Sequence, residues 1–444
     1  MKELILNLID NGNYSEARKR LIEMNEVDIA QFLEELDKEK LMIIFRILPK
    51  EIAAGVFSYV PYELQEYIID SITDKEIKNI IDELFLDDTI DFLEEMPSNI
   101  VKRVLKTTDE ETRKLINQFL KYPEDSAGSI MTIEYVDLKK EMTVKQALDH
   151  IKETGVDKET IDTCYVLDSN RILEGIISIR KLILSDDTTL VQDIMKTDPI
   201  YINTHDDHEK IASLFKKYDF ISMPVVDNER RLVGIVTIDD VVDIIDQENT
   251  EDFQKMAAMH PSDEEYLKAN PLVLARHRIT WLLILMVSAT FTGNIIIKFN
   301  EVLQSVVVLA SFIPMLMDTG GNSGSQSSTL IIRGLALGEI RTRDIFRVIW
   351  KEMQVSFIVG LVLSSLNFVR IYFLKKIDLY VSLTVCITLF FTIMLAKIIG
   401  GTLPILAKQL KLDPAIMASP LITTIVDAAA LTIYFSLATL ILHI

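Results

Sequence analysis

The sequence predicts a multidomain protein: an all-α superhelical N-terminal part, a duplicated α/β part, a connecting helix, and an α-helical membrane part of five transmembrane helices. Three observations predict it. The 444 residues divide by charge, with 32 Lys+Arg against 58 Asp+Glu in the first 270 and 14 against 8 from residue 271 onward, so a net −26 is followed by +6. A set of motifs between residues 123 and 247 occurs twice. Beyond residue 271 the chain is dominated by apolar runs near the roughly 20 residues that cross hydrocarbon.

Residues 1–122 carry apolar positions at helical spacing, as in Ile43, Phe45, Ile47 and Leu48, or Ile77, Ile80, Ile81 and Leu84. Leu48-Pro49, Val60-Pro61 and Met96-Pro97 open similar segments, with prolines 12 and 36 residues apart. Short helices that start after proline and stack in register make a small solenoid, a docking scaffold rather than a catalytic one. The excess of acid repels nucleic acid and collects cations, divalent metal above all. Cys164 and Cys386 are the two cysteines, too few for a disulfide framework and suited to a reducing cytoplasm. The opening Met-Lys-Glu-Leu-Ile-Leu is interrupted by Asp10, so no secretory signal is expected and the acidic part stays in the cytoplasm.

In residues 123–247, Ile130-Met131 answers Ile194-Met195, Tyr165-Val-Leu-Asp168 answers Pro224-Val-Val-Asp227, and Leu173-Glu-Gly175-Ile-Ile-Ser178 answers Leu232-Val-Gly234-Ile-Val-Thr237. These residues resemble a tandem pair of CBS domains, which implies a regulatory module with an adenine-nucleotide (ATP) site between its repeats. In that family a Thr or Ser followed three residues later by Asp holds the ribose. Thr237 and Asp240 fit, whereas the first repeat has Ser178 and Lys181, so half a site is kept.

A polar, acidic stretch then leads to Pro271, and apolar runs follow at about 279–297, 302–317, 346–374, 379–407 and 415–443. The second stops at Asp318, where a broken helix is expected. With the acidic part inside, nine basic flanks (Arg276, Arg278, Arg333, Arg341, Arg343, Arg347, Lys351, Lys408, Lys411) lie on the cytoplasmic side against four outside (Lys298, Arg370, Lys375, Lys376), as orientation by basic loops requires.

Three features of this part are chemical. The stretch Asp318-Thr-Gly-Gly-Asn322-Ser-Gly-Ser-Gln326-Ser-Ser-Thr329 concentrates glycine and side-chain oxygen beside an apolar run. Asp427 lies midway along a span, where a carboxylate should face a water-filled path or a cation. Asp413-Pro414-Ala415 with Pro420 reads as a helix start followed by a break. Magnesium suits these groups: it is hard, prefers oxygen and keeps several waters, so one or two carboxylates with hydroxyls and amides recognise it. Cys and His, which zinc and copper need, are nearly missing from the spans.

The motifs Glu124-Asp-Ser-Ala-Gly128-Ser-Ile-Met131, Thr319 to Arg333, and Asp413-Pro-Ala with Asp427 resemble the MgtE family of magnesium channels over the whole chain. The resemblance implies domains at 1–122 (helical), 123–247 (CBS pair), 248–272 (plug helix) and 273–444 (membrane). It implies a homodimer in the plasma membrane's lipid bilayer, its pore between the two membrane halves and lined by Asp318, Asn322, Gln326, Thr423 and Asp427, with Asp427 on the ion. Regulatory magnesium sites are implied at Asp87, Asp91 and the Gly128 carbonyl, at Asp207, Glu209, Asp219, Asp240 and Asp243, and at Glu248, Glu251 and Asp252. Two of these pairs, Asp87/Asp91 and Glu248/Asp252, are four apart on a helical face, where like charges destabilise unless something binds them.

The expected mechanism is electrostatic: acidic faces repel when magnesium is low and are bridged when it is high, which moves the plug. An enzyme is not expected, since no phosphate-cradling loop, activated nucleophile or HExxH occurs. A transporter of cobalt or manganese and a membrane-tethered magnesium sensor remain open readings.

Overall fold

A computed structural model of the chain describes residues 1–262, 266–267, 269–417 and 419–443. It divides into two units, Met1–Ile245 and Asp246–Ile444.

Ten short helices open the first unit: α1 (Lys2–Asp10), α2 (Tyr14–Ile22), α3 (Glu26–Glu34), α4 (Lys38–Ile47), α5 (Lys50–Tyr59), α6 (Tyr62–Ser71), α7 (Asp74–Glu83), α8 (Leu86–Glu94), α9 (Ser98–Thr107) and α10 (Glu110–Phe119). Their first residues are all 12 apart, from Lys2 to Glu110. Proline marks the cap at only three of these starts, Pro49, Pro61 and Pro97. At Asn13, Asn25, Asp37, Thr73 and Asp109 a side-chain oxygen accepts from a first-turn N–H instead. At the proline starts no side chain caps the first turn, so the two kinds of start share no residue type, which hides the period from a search for identical residues. The shared signal is apolar and lies seven and eight residues past the cap, as at Ile44-Phe45, Val56-Phe57, Ile68-Ile69, Ile80-Ile81 and Phe92-Leu93, none more than 5% exposed. Helices this short are marginal alone, and each gains its partner two places along: α3 packs on α5, α5 on α7 and α7 on α9.

The duplicated part follows. In its first repeat β1 (Asp137–Leu138), α11 (Val144–Thr154), β2 (Thr163–Leu167), β3 (Leu173–Ser178), α12 (Ile179–Ile183), α13 (Val191–Ile194) and β4 (Lys196–Thr197) give a sheet of order β1-β2-β3-β4. In its second, β5 (Ile202–Asn203), α14 (His208–Tyr218), β6 (Ser222–Val226) and β7 (Leu232–Thr237) give β5-β6-β7. The registers match, Val166 opposite Gly175 and Val225 opposite Gly234. The repeated Ile-Met explains itself here: Lys196, after Met195, pairs with Ile176 of β3, while Thr132, after Met131, bridges to Ile235 of β7. Gly175 and Gly234 lie beneath those crossings, where a Cβ would run into the Lys196 and Thr132 carbonyls. The helical array and the second repeat share one core, which includes Ile90, Val104, Ile116, Ile211, Phe215 and Val241. The first repeat keeps its own around Leu138, Cys164 and Ile177.

α15 (Ile238–Met256) leaves β7 directly and runs 19 residues, with no break at 247–248. The second unit continues with α16 (Pro271–Lys298), α17 (Asn300–Ser305), a 3-10 turn Val307–Phe312, α18 (Ile313–Ala336), α19 (Ile345–Phe368), a π-helical turn Val369–Leu374, α20 (Leu379–Gln409), a 3-10 turn Pro414–Met417 and α21 (Ser419–Leu442). Among the described residues four stretches are long and apolar enough to cross a membrane: Pro271–Lys298, Thr342–Leu374, Leu379–Gln409 and Pro414–Leu442. The expected apolar run at 302–317 is instead broken at Val306, and its end enters α18. The break expected at Asp318 does not occur. α18 stays helical through the glycine and serine stretch, packed on α20 and α21, and its hydroxyls are satisfied on their own helix, Ser325 Oγ donating to the Gly321 carbonyl (2.9 Å) and Thr329 Oγ1 to the Ser325 carbonyl (3.0 Å). Its glycines meet neighbouring backbone: a Cβ at Gly400 of α20 would collide with the Gly324 carbonyl.

A candidate ion path and an acidic face

α18 has two unlike sides. Gly320, Gly321, Ser323, Gly324, Ser327 and Ser328 are buried where α18 packs on its neighbours, above all α20 and α21, while Asp318, Asn322 and Gln326, four apart, are exposed. Asn322 Nδ2 donates to Asp318 Oδ1 at 3.2 Å. Across from them on α21, Asp427 is half-buried, and Asp318 is the charge it interacts with. Thr423, one turn away, gives its hydroxyl to the Pro420 carbonyl at 2.9 Å. Of the five residues expected along a pore, the structure brings Asp318 within electrostatic reach of Asp427 and sets Thr423 against Gly321 of α18, while Asn322 and Gln326 follow Asp318 at successive turns of the same exposed stripe. α21 is launched by Asp413, whose Oδ1 accepts from Ala415 N at 2.8 Å.

The first unit holds an acidic face between α8 and the start of α15. Asp87 is 7% exposed, and its carboxyl is pushed well up by burial and by Asp240. Asp88 and Asp91 are raised to about 6, each by burial first, then by Asp91 and Asp243 respectively. Asp240 is raised to about 8 by burial and by Asp239, although Thr237 Oγ1 donates to its Oδ2 at 3.0 Å. Two further acids join: Glu94, raised to about 7 by burial and Asp91, and Glu159, raised to about 7 by burial and Asp239. Asp87, Asp91, Asp240 and Asp243 are thus assembled as the sequence expects. Asp88, Glu94, Glu159 and Asp239 are additions. Asp88 adjoins a named residue and could have been read from the helix; Glu159 comes from a loop of the first repeat, which only the fold brings near.

Other named residues stand elsewhere. Gly128 N donates to the Thr204 carbonyl at 2.9 Å and packs beneath Tyr122. Asp207 caps α14 through Glu209 N at 2.9 Å. Asp207 borders a groove of about 500 Å³ lined also by Tyr122, Pro123, Glu124, Asp125, Ser126 and His205. Asp219 ends α14 in a left-handed conformation, φ 53°. Glu251 is engaged by Lys255 at 2.5 Å, and Lys255 also reaches Asp413 at 2.7 Å. Asp252 is raised by burial and by Asp413. Glu248, on the same stretch of α15, is likewise not free.

Among the described residues no three His, Cys, Asp or Glu are close enough to hold a metal ready-made. What the acidic face offers is crowded, partly desolvated carboxylate oxygen, the donor chemistry of a hard divalent ion. The second repeat keeps the Thr237–Asp240 pair expected at a ribose, whereas in the first repeat Ser178 Oγ is occupied as the cap of α12, accepting from Lys181 N at 3.3 Å.

Comparison with known proteins gives the family. The family model described as divalent cation transporter, MgtE, matches residues 313–437; MgtE intracellular N domain matches 24–125, and the CBS domain matches 127–186 and 191–247. The magnesium transporter MgtE of Thermus thermophilus is 37% identical over 98% of this chain and 97% of its own. That of Bacillus subtilis is 32% identical over 98% and 100%. The crystal structure of the cytosolic domain of the Mg2+ channel MgtE with ATP superposes with TM-score 0.53 at 35% identity, over 55% of this chain and 100% of that one. A crystal structure of the soluble part of a magnesium transporter gives 0.54 at 30% identity, over 56% and 97%. The chain is therefore a membrane protein and not an enzyme, and it belongs to the MgtE family of divalent cation transporters.

Proposed function

We propose that this protein is a magnesium-selective channel of the plasma membrane, closed by magnesium bound at its cytoplasmic acidic surfaces. The observation that carries the reading is α18: a 24-residue helix packed tightly on one side that leaves Asp318, Asn322 and Gln326 open, with Asp427 of α21 interacting with Asp318. A stripe of oxygen at that depth fits an ion that moves hydrated and asks for few protein ligands. α18 serves as a fifth crossing, and a second copy of the chain faces the stripe, so that the path runs between two membrane halves. The relatives from T. thermophilus and B. subtilis carry magnesium in their names, and we extend that substrate to this chain.

Closure follows from the acidic face. Without ion, α8 and α15 hold several partly buried carboxylates of like charge. At about 1 kcal/mol or more per close pair, depending on local dielectric, their repulsion favours separation of the cytoplasmic parts. Bridging magnesium reverses this, and its differential affinity sets how far the equilibrium moves. The helical part (1–122), CBS pair (123–247), plug (248–272) and membrane part (273–444) are the moving bodies. ATP binds the CBS pair through Thr237 and Asp240.

Flux of magnesium, cobalt and manganese into liposomes holding the pure protein tests the reading. Magnesium should enter fastest, and magnesium on the cytoplasmic side should suppress entry. Preference for cobalt or manganese would replace the substrate; no flux of any of them would leave a membrane-tethered sensor.

A further inference from the structure

α18, α19 and α20 meet through three side chains outside the ion path and the acidic face. Ser327 of α18 is 1% exposed, Lys397 of α20 5% and Glu352 of α19 8%. Ser327 Oγ donates to Glu352 Oε2 at 2.6 Å and accepts from Lys397 Nζ at 3.4 Å. One hydroxyl thus stands between an ammonium and a carboxylate, each from a different helix. The Glu352 stem leaves no slack, since its Cγ lies against Gly401 of α20, where a Cβ would stand 3.0 Å away. Charges inside a helix bundle are costly unless they meet each other or a polar partner, and where kept they can fix one arrangement over its alternatives.

That arrangement concerns α18. Ser327 belongs to its buried side, and Gln326, the next residue, to the exposed stripe. Successive helical residues point about 100° apart, so a small rotation of α18 would carry Asp318, Asn322 and Gln326 away from Asp427. The glycines of this helix receive side chains of α20 and α21, Thr392 and Val426 at Gly320, Thr423 at Gly321 and Ile422 at Gly324, which is apolar packing without direction. The Ser327 contacts add directional hydrogen bonds that specify one rotation. We propose that Ser327, Glu352 and Lys397 are positioning residues for ion passage: the ammonium–hydroxyl–carboxylate chain fixes the rotation of α18 and so aims the oxygen stripe into the path. The proposal rests on the transport reading above.

The test compares full-length Ser327→Ala, Glu352→Gln, Lys397→Met and the double variant Glu352→Gln/Lys397→Met in liposomes. Maximal magnesium flux, the half-saturating concentration, the preference for magnesium over cobalt and the thermal midpoint are each measured. Every single variant should lose about tenfold or more in maximal flux and blunt the ion preference, since small misplacements of positioned groups are costly. The double variant, with neither charge left unpaired, should recover flux to within about threefold of the parent. Where a single charge change prevents folding, Ser327→Ala, which keeps both charges, decides the matter. Parental flux and preference in the folded single variants, or a double variant as impaired as the singles, overturns the proposal. A parent that carries no magnesium overturns the transport reading instead.

Discussion

Lys255 Nζ lies 2.7 Å from Asp413 Oδ2, joining the last turn of α15 to the turn that opens α21. The same ammonium takes Glu251 at 2.5 Å. Burial works against its charge, but Asp413 and Glu251 outweigh it and hold the ammonium protonated. An ammonium therefore clasps Glu251, for which the family resemblance implies a metal.

If this clasp helps to hold the closed plug, Lys255→Met should release it and leave Glu251, Asp252 and Asp413 with uncompensated charge. A charge-assisted contact of this kind is worth about 1.5 kcal/mol, so the magnesium concentration that half-closes the channel should rise roughly tenfold. Flux measured against cytoplasmic magnesium checks this. An unchanged closing curve in well-folded Lys255→Met would assign the clasp to structure only.

The acidic face makes a second prediction, on pH. Asp88 and Asp91 sit near 6, Glu94 and Glu159 near 7 and Asp240 near 8, all above ordinary carboxylates. A raised value in the folded state means that the destabilisation from buried charge is fully present above about pH 8. It fades as pH falls through 8 to 6 and the groups take up protons. Ion-free protein should therefore melt higher at pH 6 than at pH 8. Magnesium needs these oxygens deprotonated, so its binding should release protons and weaken by about tenfold or more between pH 8 and 6. Calorimetry in buffers of different ionisation enthalpy measures the released protons directly; none released across this window would place the ion elsewhere.

What the sequence revealed and what it hid have physical reasons. The CBS repeats were legible because Gly175 and Gly234 must be glycine beneath crossing backbone and because both β-hairpins keep one register. The helical period of 12 was legible only at its prolines, since other helices of the array start on Asn, Asp or Thr caps that share no letter with them. α18 was misread as broken because polarity is also what loops show; only the packing of Gly324 on Gly400 distinguishes a helix whose polar side is used. Asp427 stood out because the span around it is apolar. Glu352 and Lys397 did not, because Glu352 follows Lys351 as an ordinary charged pair at a helix flank and nothing in the sequence ties it to Lys397 until Ser327 joins them. The Asp87 and Asp240 partnership spans 153 positions and could be named only through the family.

Nucleotide binding should be modest and depend on the second repeat. Thr237 Oγ1 and Asp240 Oδ2 are 3.0 Å apart and ready to share a ribose hydroxyl. The first repeat has Lys181 where that acid would be, and Ser178 is already used as a helix cap. Titration calorimetry with ATP should show weak binding that is lost in Asp240→Asn and kept in Lys181→Ala. Tight binding that survives Asp240→Asn would move the site to another surface.

The last prediction concerns the two acids of the path, which are not equivalent. Asp318 is exposed and shares its carboxylate with Asn322 Nδ2 at 3.2 Å, so an amide can stand in for part of its role. Asp427 is half-buried in a helix whose neighbouring residues, from Leu421 to Leu442, bring no other charge until His443. A carboxylate set that deep is costly to insert, by about 3 kcal/mol on translocon scales, and a bound cation offsets the cost. Removing it should therefore stabilise the fold slightly while destroying the ion site. Asp427→Ala should abolish magnesium flux in protein that still inserts and assembles. Asp427→Asn keeps size and one oxygen acceptor but not charge, so residual flux should lose its preference for a divalent over a monovalent ion. Asp318→Asn should lower flux by about tenfold or less, since loss of one exposed charge from a partly solvated pair weakens a site by about 1 kcal/mol. Flux of magnesium and sodium through all three variants, with thermal midpoints alongside, reads both effects. A well-folded Asp427→Ala that conducts at the parental rate would mean that this carboxylate holds helices rather than the ion.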